Sequence, residues 1–345
     1  MKIIQSIGIG LFLSGLTIFT VMPFLGNYTL AEGLVLANTK EIHQERMSII
    51  LAPMYGETYS SNFSFIAAFN ENFDSSNDVL KAESRWEEVI WDDYSFALAK
   101  SAINSPVRDN PWLFFGLSIG LAVLGGLLYN LPKYRDEPAG IKNNGIYHSS
   151  MKNRGWMGMI TGAYLIIFYI ILYWFPAYIV NQVWMVNSFS LILSGNPASQ
   201  WFLYGTIYSL AIIVMGVRMF RKYKGNKYQQ LRTASVMFFQ TAFAFLIPEI
   251  LVLLNQPYFD FKNIWPLDYD FFYDYQIDTF LSAGGVGMFM LIWGILLIII
   301  AVPLFTYFYG KRWYCSWVCG CGGLAETVGD PYRQLSDKSL KAWKY

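Results

Sequence analysis

Apolar residues in this chain collect into six long runs separated by polar stretches, at residues 3–25, 112–131, 156–179, 201–217, 234–254 and 286–309. Crossing a bilayer takes about 20 residues of apolar helix, with about 17 as the lower end of the range. The pattern therefore predicts an all-α membrane protein with about six transmembrane helices. The first run follows Lys2 and extends from Ile3 to Leu25. A secretory signal has a core of only about 7–15 residues, so this run is read as an uncleaved anchor.

Between the first two runs lies the one long polar region, residues 27–110, rich in acidic groups such as Glu83, Glu87, Glu88, Asp92 and Asp93. Within it, Leu80, Trp86, Val89, Ile90, Tyr94, Ala97 and Leu98 recur near helical spacing. That periodicity predicts one amphipathic helix over Val79–Lys100, packed on the membrane domain. The region contains no cysteine, so its fold must come from packing without disulfides.

Charge then sets an orientation. Lys133, Arg135, Lys142, Lys152 and Arg154 follow the second run, and Arg218, Arg221, Lys222, Lys224, Lys227 and Arg232 follow the fourth. Residues 181–200 carry no charge, and residues 255–284 carry Lys262 against Asp260, Asp268, Asp270, Asp274 and Asp278. Basic loops stay on the cytoplasmic side, so both termini are expected inside a bacterial inner membrane. The expected organisation is an anchor helix over 1–26, an extracytoplasmic acidic region over 27–110, a five-helix membrane domain over 111–309 and a cytoplasmic cysteine-containing segment over 310–345.

Composition agrees: the 345 residues are 54% hydrophobic and 14% charged, where soluble domains carry about 25% charged residues. No basic tract suited to nucleic acid is present, nor a glycine-rich phosphate loop, a nucleophile elbow or paired catalytic carboxylates. A hydrolase or kinase is therefore unsupported.

The chemistry concentrates after the last run. The chain has three cysteines, Cys315, Cys319 and Cys321, within seven positions. Clustered thiols beside Lys311 and Arg312 read as ligands for a soft metal or an iron–sulfur centre, because the cations favour thiolate. Gly320, Gly322 and Gly323 predict irregular backbone whose amides approach the sulfurs. Unligated thiols in a tight turn are the plainer alternative. Structural zinc takes four ligands, and a [4Fe–4S] cluster commonly takes four cysteines. A further ligand would come from another residue, another chain or sequence beyond this one. His148 lies in a different loop, and His43 is expected on the opposite side.

The string Gly310-Lys-Arg-Trp-Tyr-Cys315-Ser-Trp-Val-Cys319-Gly resembles the G-R-x-Y-C-G-W-x-C-P signature of the NapH/NosR-like membrane ferredoxin family. The resemblance covers about a dozen residues, at an end of a transmembrane helix as in that family. It implies a multi-span protein carrying [4Fe–4S] clusters, which passes electrons between a quinol or cytoplasmic donor and a partner redox protein. Gly320 stands where the family has proline, Cys321 is an added thiol, and the ferredoxin repeats are absent from this chain. The chain is thus expected to be the N-terminal, membrane portion of such a protein. Leu340–Tyr345 is a charged helix-forming stretch with no stop signal, so further spans or cluster-binding repeats are expected beyond it or on a partner.

Glu249, following Pro248, is the one acidic residue well inside an apolar run. It is either a proton relay or quinone-site acid, or a carboxyl reaching the outer interface. The aromatic loop from Tyr258 to Tyr275 reads as an interfacial amphipathic segment. The leading expectation is an electron-transfer component, a possible oxidoreductase subunit, with Cys315, Cys319 and Cys321 as metal and cofactor ligands. It would work in the lipid bilayer beside a membrane or periplasmic redox partner. The alternatives are a soft-metal permease, in which the thiols capture Cu(I) or Zn(II), and a non-catalytic scaffold for a redox complex.

Overall fold

The computed structural model describes residues 2–132, 156–263, 268–310 and 313–329. The basic stretch 133–155 with His148, the pair Lys311 and Arg312, and the stretch Leu340–Tyr345 lie outside the described residues.

Five helices are long and apolar enough to span a membrane: Ile3–Phe24, Pro111–Asn130, Gln200–Lys222, Lys227–Leu253 and Gly284–Tyr309. They match the first, second, fourth, fifth and sixth apolar runs, and several apolar helices of this kind are compatible with a multi-pass membrane protein. The third run is bent: its helix stops at Trp174 and the chain turns by 112° into Pro176–Met185, a pair that makes a sixth candidate span when counted together. Pro176 has no amide hydrogen to donate, and its ring drives Phe175 out of the helical region (φ −133°, ψ 48°).

Close approach in the bundle depends on glycine. A Cβ placed on Gly8 would lie 2.7 Å from the Tyr129 amide nitrogen and 2.8 Å from the Gly125 carbonyl. One on Gly125 would strike the backbone of Phe12 and Gly8. Ile3–Phe24 and Pro111–Asn130 therefore cross backbone to backbone, as small residues allow where lipid gives no hydrophobic drive between helices. The two prolines inside long spans are also accommodated locally. Pro248 follows a π-helical segment, Phe239–Leu246, and Pro303 follows another, Leu297–Ala301. The widened turns absorb the hydrogen bonds that proline cannot make.

Residues 27–110 form a compact unit at one end of the bundle, helical for the most part but with one small sheet that the sequence reading did not include. A three-stranded antiparallel sheet has β1 (Asn27–Thr29) between β2 (Thr58–Tyr59) and β3 (Ile103–Asn104), with Tyr28 opposite both Tyr59 and Ile103. Its core buries Tyr28, Leu30, Met47, Leu51, Phe65 and Leu98. The single helix expected over Val79–Lys100 is broken. Asn62–Ala82, capped by Ser61, is followed by Ser84 at φ 58°, a short turn at Trp86–Glu88 and a new helix at Ser95–Ala102. The buried Asn77 amide fixes the return, donating to the Ile90 carbonyl (3.0 Å) and accepting from its amide (3.2 Å). Spacing along the sequence did not reveal that clamp.

One side chain ties the unit to the bundle. Fully buried Asn181 donates to the Met22 and Leu25 carbonyls (2.7 and 2.8 Å) and accepts from Ser105 Oγ (2.7 Å). It thus fastens the turn at the end of the first span, whose Met22 carbonyl also accepts from the Leu25 amide (3.0 Å). Asn62 Nδ2 adds a bond to the Tyr178 carbonyl (2.8 Å). The charge-free residues 181–200 are not an open loop but two short helices, Val180–Met185 and Asn187–Ser194.

Candidate functional site

After the last span the chain folds into a helical hairpin. Its first arm is Trp313–Trp317 and its second is Gly320–Thr327, with Val318 and Cys319 at the tip. The amides of Val318 and Cys319 both return to the Tyr314 carbonyl (3.0 and 2.9 Å). Cys319 is extended (φ −65°, ψ 140°) and immediately precedes the second arm.

The expected break of the helix around Cys319 is present, at Val318 and Cys319, but the three glycines themselves lie in the second arm and serve close packing. A Cβ on Gly322 would collide with the Cys315 carbonyl, so the two arms touch through their backbones. A Cβ on Gly320 would lie 2.7 Å from Tyr208 Oη and 3.1 Å from Gln240 Oε1. One on Gly323 would lie 2.7 Å from Val236 Cγ1. Gly320 and Gly323 therefore seat the arm in the groove between Gln200–Lys222 and Lys227–Leu253.

The cysteine segment follows the last helix, as the sequence led one to expect, and it folds back along the bundle. In the structure the tip rests against Gln240, thirteen residues from either end of Lys227–Leu253. At 1.5 Å per residue that is about 20 Å of helix on each side. Tyr208, on the neighbouring helix, is eight residues from Gln200 and fourteen from Lys222. The tip thus packs beside the middle turns of these two helices. Irregular backbone at such a position persists only where protein satisfies it. The carbonyls freed at the end of the first arm are indeed capped, Trp317 by Ser235 Oγ (3.0 Å) and Val318 by Gln240 Nε2. The second arm is held lower down by an Arg232–Glu326 ion pair, neither partner exposed.

A second segment reaches the same region from the other end. Phe261 packs with Phe243 (5.8 Å between centroids) and accepts a bond from Trp293 Nε1 through its carbonyl (3.1 Å). Tyr314 of the hairpin donates to the adjacent Lys262 carbonyl (2.5 Å). Asp260 and Lys262 pair at 2.7 Å beside this contact. The aromatic stretch expected to lie along the interface is therefore partly turned inward, with Phe259 and Phe271 buried while Tyr269, Tyr273 and Tyr275 stay exposed. Residues 264–267 lie outside the described residues.

Cys319 is half-buried, and Cys315 and Cys321 are exposed on the hairpin. Among the described residues, no three of His, Cys, Asp or Glu converge as a preformed metal site. The thiols share one tip without pointing at one centre, so ligation requires their side chains to turn together. Coupling of that kind between binding and local structure is usual for metal sites. Two features fit a sulfur-ligated iron centre here: a purely thiol donor set, and a buried, unpartnered hydroxyl on Tyr208 beside it. The count of three leaves one cluster position to a group other than these cysteines.

Glu249 does not belong to this site. It lies nine residues beyond Gln240, about 13 Å along the helix, in the segment Ile247–Leu253 that packs against Asn187–Ser194. His43 sits in the 27–110 unit, bonded to Tyr94 Oη (2.7 Å). Sequence reasoning missed Tyr208, Ser235 and Gln240 and read Arg232 only as a basic loop residue. The signal for the first three is polarity inside apolar runs.

A family model described as a 4Fe-4S binding domain (Fer4_5) matches residues 290–339, a stretch that begins in the last span and contains the whole hairpin. No curated protein and no solved structure matches the chain. The match supports an iron–sulfur protein of ferredoxin type, and with it a 4Fe-4S cluster and an electron-transfer role.

Proposed function

We propose that this chain is a membrane electron-transfer protein in which Cys315, Cys319 and Cys321 supply thiolates to an iron–sulfur centre within the helical bundle. The observation that carries the reading is the coincidence of the 4Fe-4S family match with a thiol hairpin packed against the middle of two spans. Bound there, the centre supplies one-electron redox chemistry. The chain's own part is to hold the tip through Ser235, Gln240 and Tyr314. The low dielectric of that environment and hydrogen bonds to sulfur then set the potential.

The finer reading is a NapH/NosR-like component of a bacterial inner membrane, with the basic ends of the spans inside. Electrons would pass between a quinol or cytoplasmic donor and a redox protein docked on the 27–110 unit. The fourth cluster ligand comes from the partner or from sequence outside the described residues.

Single substitutions test the ligand set. Cys315→Ser, Cys319→Ser and Cys321→Ser, each purified without oxygen, are expected to lose most of the bound iron and the visible absorbance of the cluster. A variant that keeps both removes its residue from the set. A wild-type protein that binds copper or zinc stoichiometrically, and no iron, replaces the whole reading with metal handling.

A further inference from the structure

Tyr208 projects from the fourth span to the hairpin tip, and its hydroxyl is fully enclosed without a hydrogen-bond partner among the described residues. A buried hydroxyl left unmatched is costly, and more so inside a bilayer, where no water replaces the missing partner. Its position is fixed by the backbone, since the site of a Cβ on Gly320 lies 2.7 Å from the oxygen. Gly320 separates Cys319 from Cys321, and both thiols lie within electrostatic range of the hydroxyl.

Three carbonyls at the tip already accept hydrogen bonds: Val318 from Gln240 Nε2, Trp317 from Ser235 Oγ and Cys319 from the Gly323 amide (2.8 Å). Gln240 Oε1, which borders the same Gly320 position, and the cysteine sulfurs remain as acceptors. The sulfurs are the ones whose acceptor strength changes when a metal binds. A neutral thiol is a weak acceptor, whereas a thiolate or metal-bound sulfur carries the charge that a phenol O–H matches. The neighbouring tyrosine on the same helix shows the contrast, because Tyr204 already shares a hydrogen bond with Tyr169 (2.8 Å).

We propose that Tyr208 is a positioning residue whose hydroxyl donates a hydrogen bond to a sulfur of the bound centre, at Cys319 or Cys321, and thereby raises its reduction potential. The proposal rests on the iron–sulfur reading given above. Its sign follows from charge. Reduction adds an electron that is shared with the sulfurs, so a donor to sulfur stabilises the reduced state more than the oxidised one. Removing that donor moves the midpoint to more negative values.

The test uses the full chain, reconstituted without oxygen with iron and sulfide, and titrated electrochemically while the EPR signal of the reduced centre is followed. Tyr208→Phe, which removes one oxygen and keeps the ring, is expected to retain the wild-type iron content and to titrate at a more negative potential. Tyr204→Phe is expected to titrate as the wild type does. Proton ENDOR on the wild type is expected to show an exchangeable proton coupled to the centre, lost in D2O and absent from Tyr208→Phe. This readout separates hydrogen bonding from packing, and its wild-type arm stands even where the variant does not accumulate. An iron-loaded wild type with no such coupling, or an iron-loaded Tyr208→Phe with an unchanged midpoint, overturns the tyrosine assignment alone. A wild type that takes up no iron overturns the iron–sulfur reading and this inference with it.

Discussion

Gly322→Ala is expected to abolish iron binding while leaving the rest of the chain folded. The added Cβ would occupy the position of the Cys315 carbonyl, and that obstacle is backbone, not the end of a flexible side chain. The two arms of the hairpin must then separate. Separation breaks the bonds from Ser235 and Gln240 to the Trp317 and Val318 carbonyls. Each buried polar group left unmatched costs about 1–3 kcal/mol, and two of them exceed what a five-residue arm can recover locally. With the arms apart, Cys315 no longer shares a site with Cys319 and Cys321. The measurement is the iron-to-protein ratio after anaerobic reconstitution. Gly33→Ala is the control, because a Cβ there meets nothing within 4 Å. Full iron loading in Gly322→Ala would show that the hairpin geometry is irrelevant to binding.

The second large effect is on stability. Gly125→Leu is expected to separate the first two spans and lower thermal stability in detergent. Overpacking a well-filled contact typically costs about 1–3 kcal/mol. Here the obstacles are the Phe12 amide and the Gly8 carbonyl, so relaxation requires a whole helix to move, and the upper part of that range is expected. Because the end of the first span is bonded to Asn181, the disturbance should also loosen the 27–110 unit. Gly10→Ala in the same helix, where a Cβ meets nothing within 4 Å, is expected to leave the melting temperature unchanged. A Gly125→Leu protein that melts with the wild type would contradict the backbone-to-backbone crossing.

The spans were legible because burial in lipid imposes a length and a composition that a single sequence carries openly. Five of the six runs became helices of membrane-spanning length for that reason. The third escaped at Pro176, where one residue's missing amide outweighs the apolar character of its neighbours. In residues 27–110 the hydrophobic period pointed to one helix, and the Asn77 clamp and Ser84 turn overrode it. Both features are local, but neither a side-chain clamp nor a left-handed residue registers in hydrophobic spacing.

The candidate ligands were legible as a cluster, but their packing against the fourth and fifth apolar helices was not. Hydropathy counts residues along a chain and cannot register a segment that turns back into the bundle. The three glycines carried the relevant signal, read first as loop formers. Their spacing instead places Gly320 and Gly323 on one face of a short helix, against two larger ones. Gln240 and Ser235 look like ordinary polar substitutions in an apolar span until the two carbonyls they cap are known. The groups that complete the environment of the thiols therefore come from residues with no motif of their own.

The most direct measurement is the depth of the iron centre itself. Wild-type protein in bilayers, with the centre reduced, would be examined by EPR in the presence of lipids carrying a nitroxide either at the headgroup or deep in the acyl chain. With the hairpin tip resting against Gln240 at mid-helix, the acyl-chain label should relax the iron signal more strongly than the headgroup label. Stronger relaxation from the headgroup, or a reduced protein with no iron signal, would contradict a sulfur-ligated centre inside the bundle.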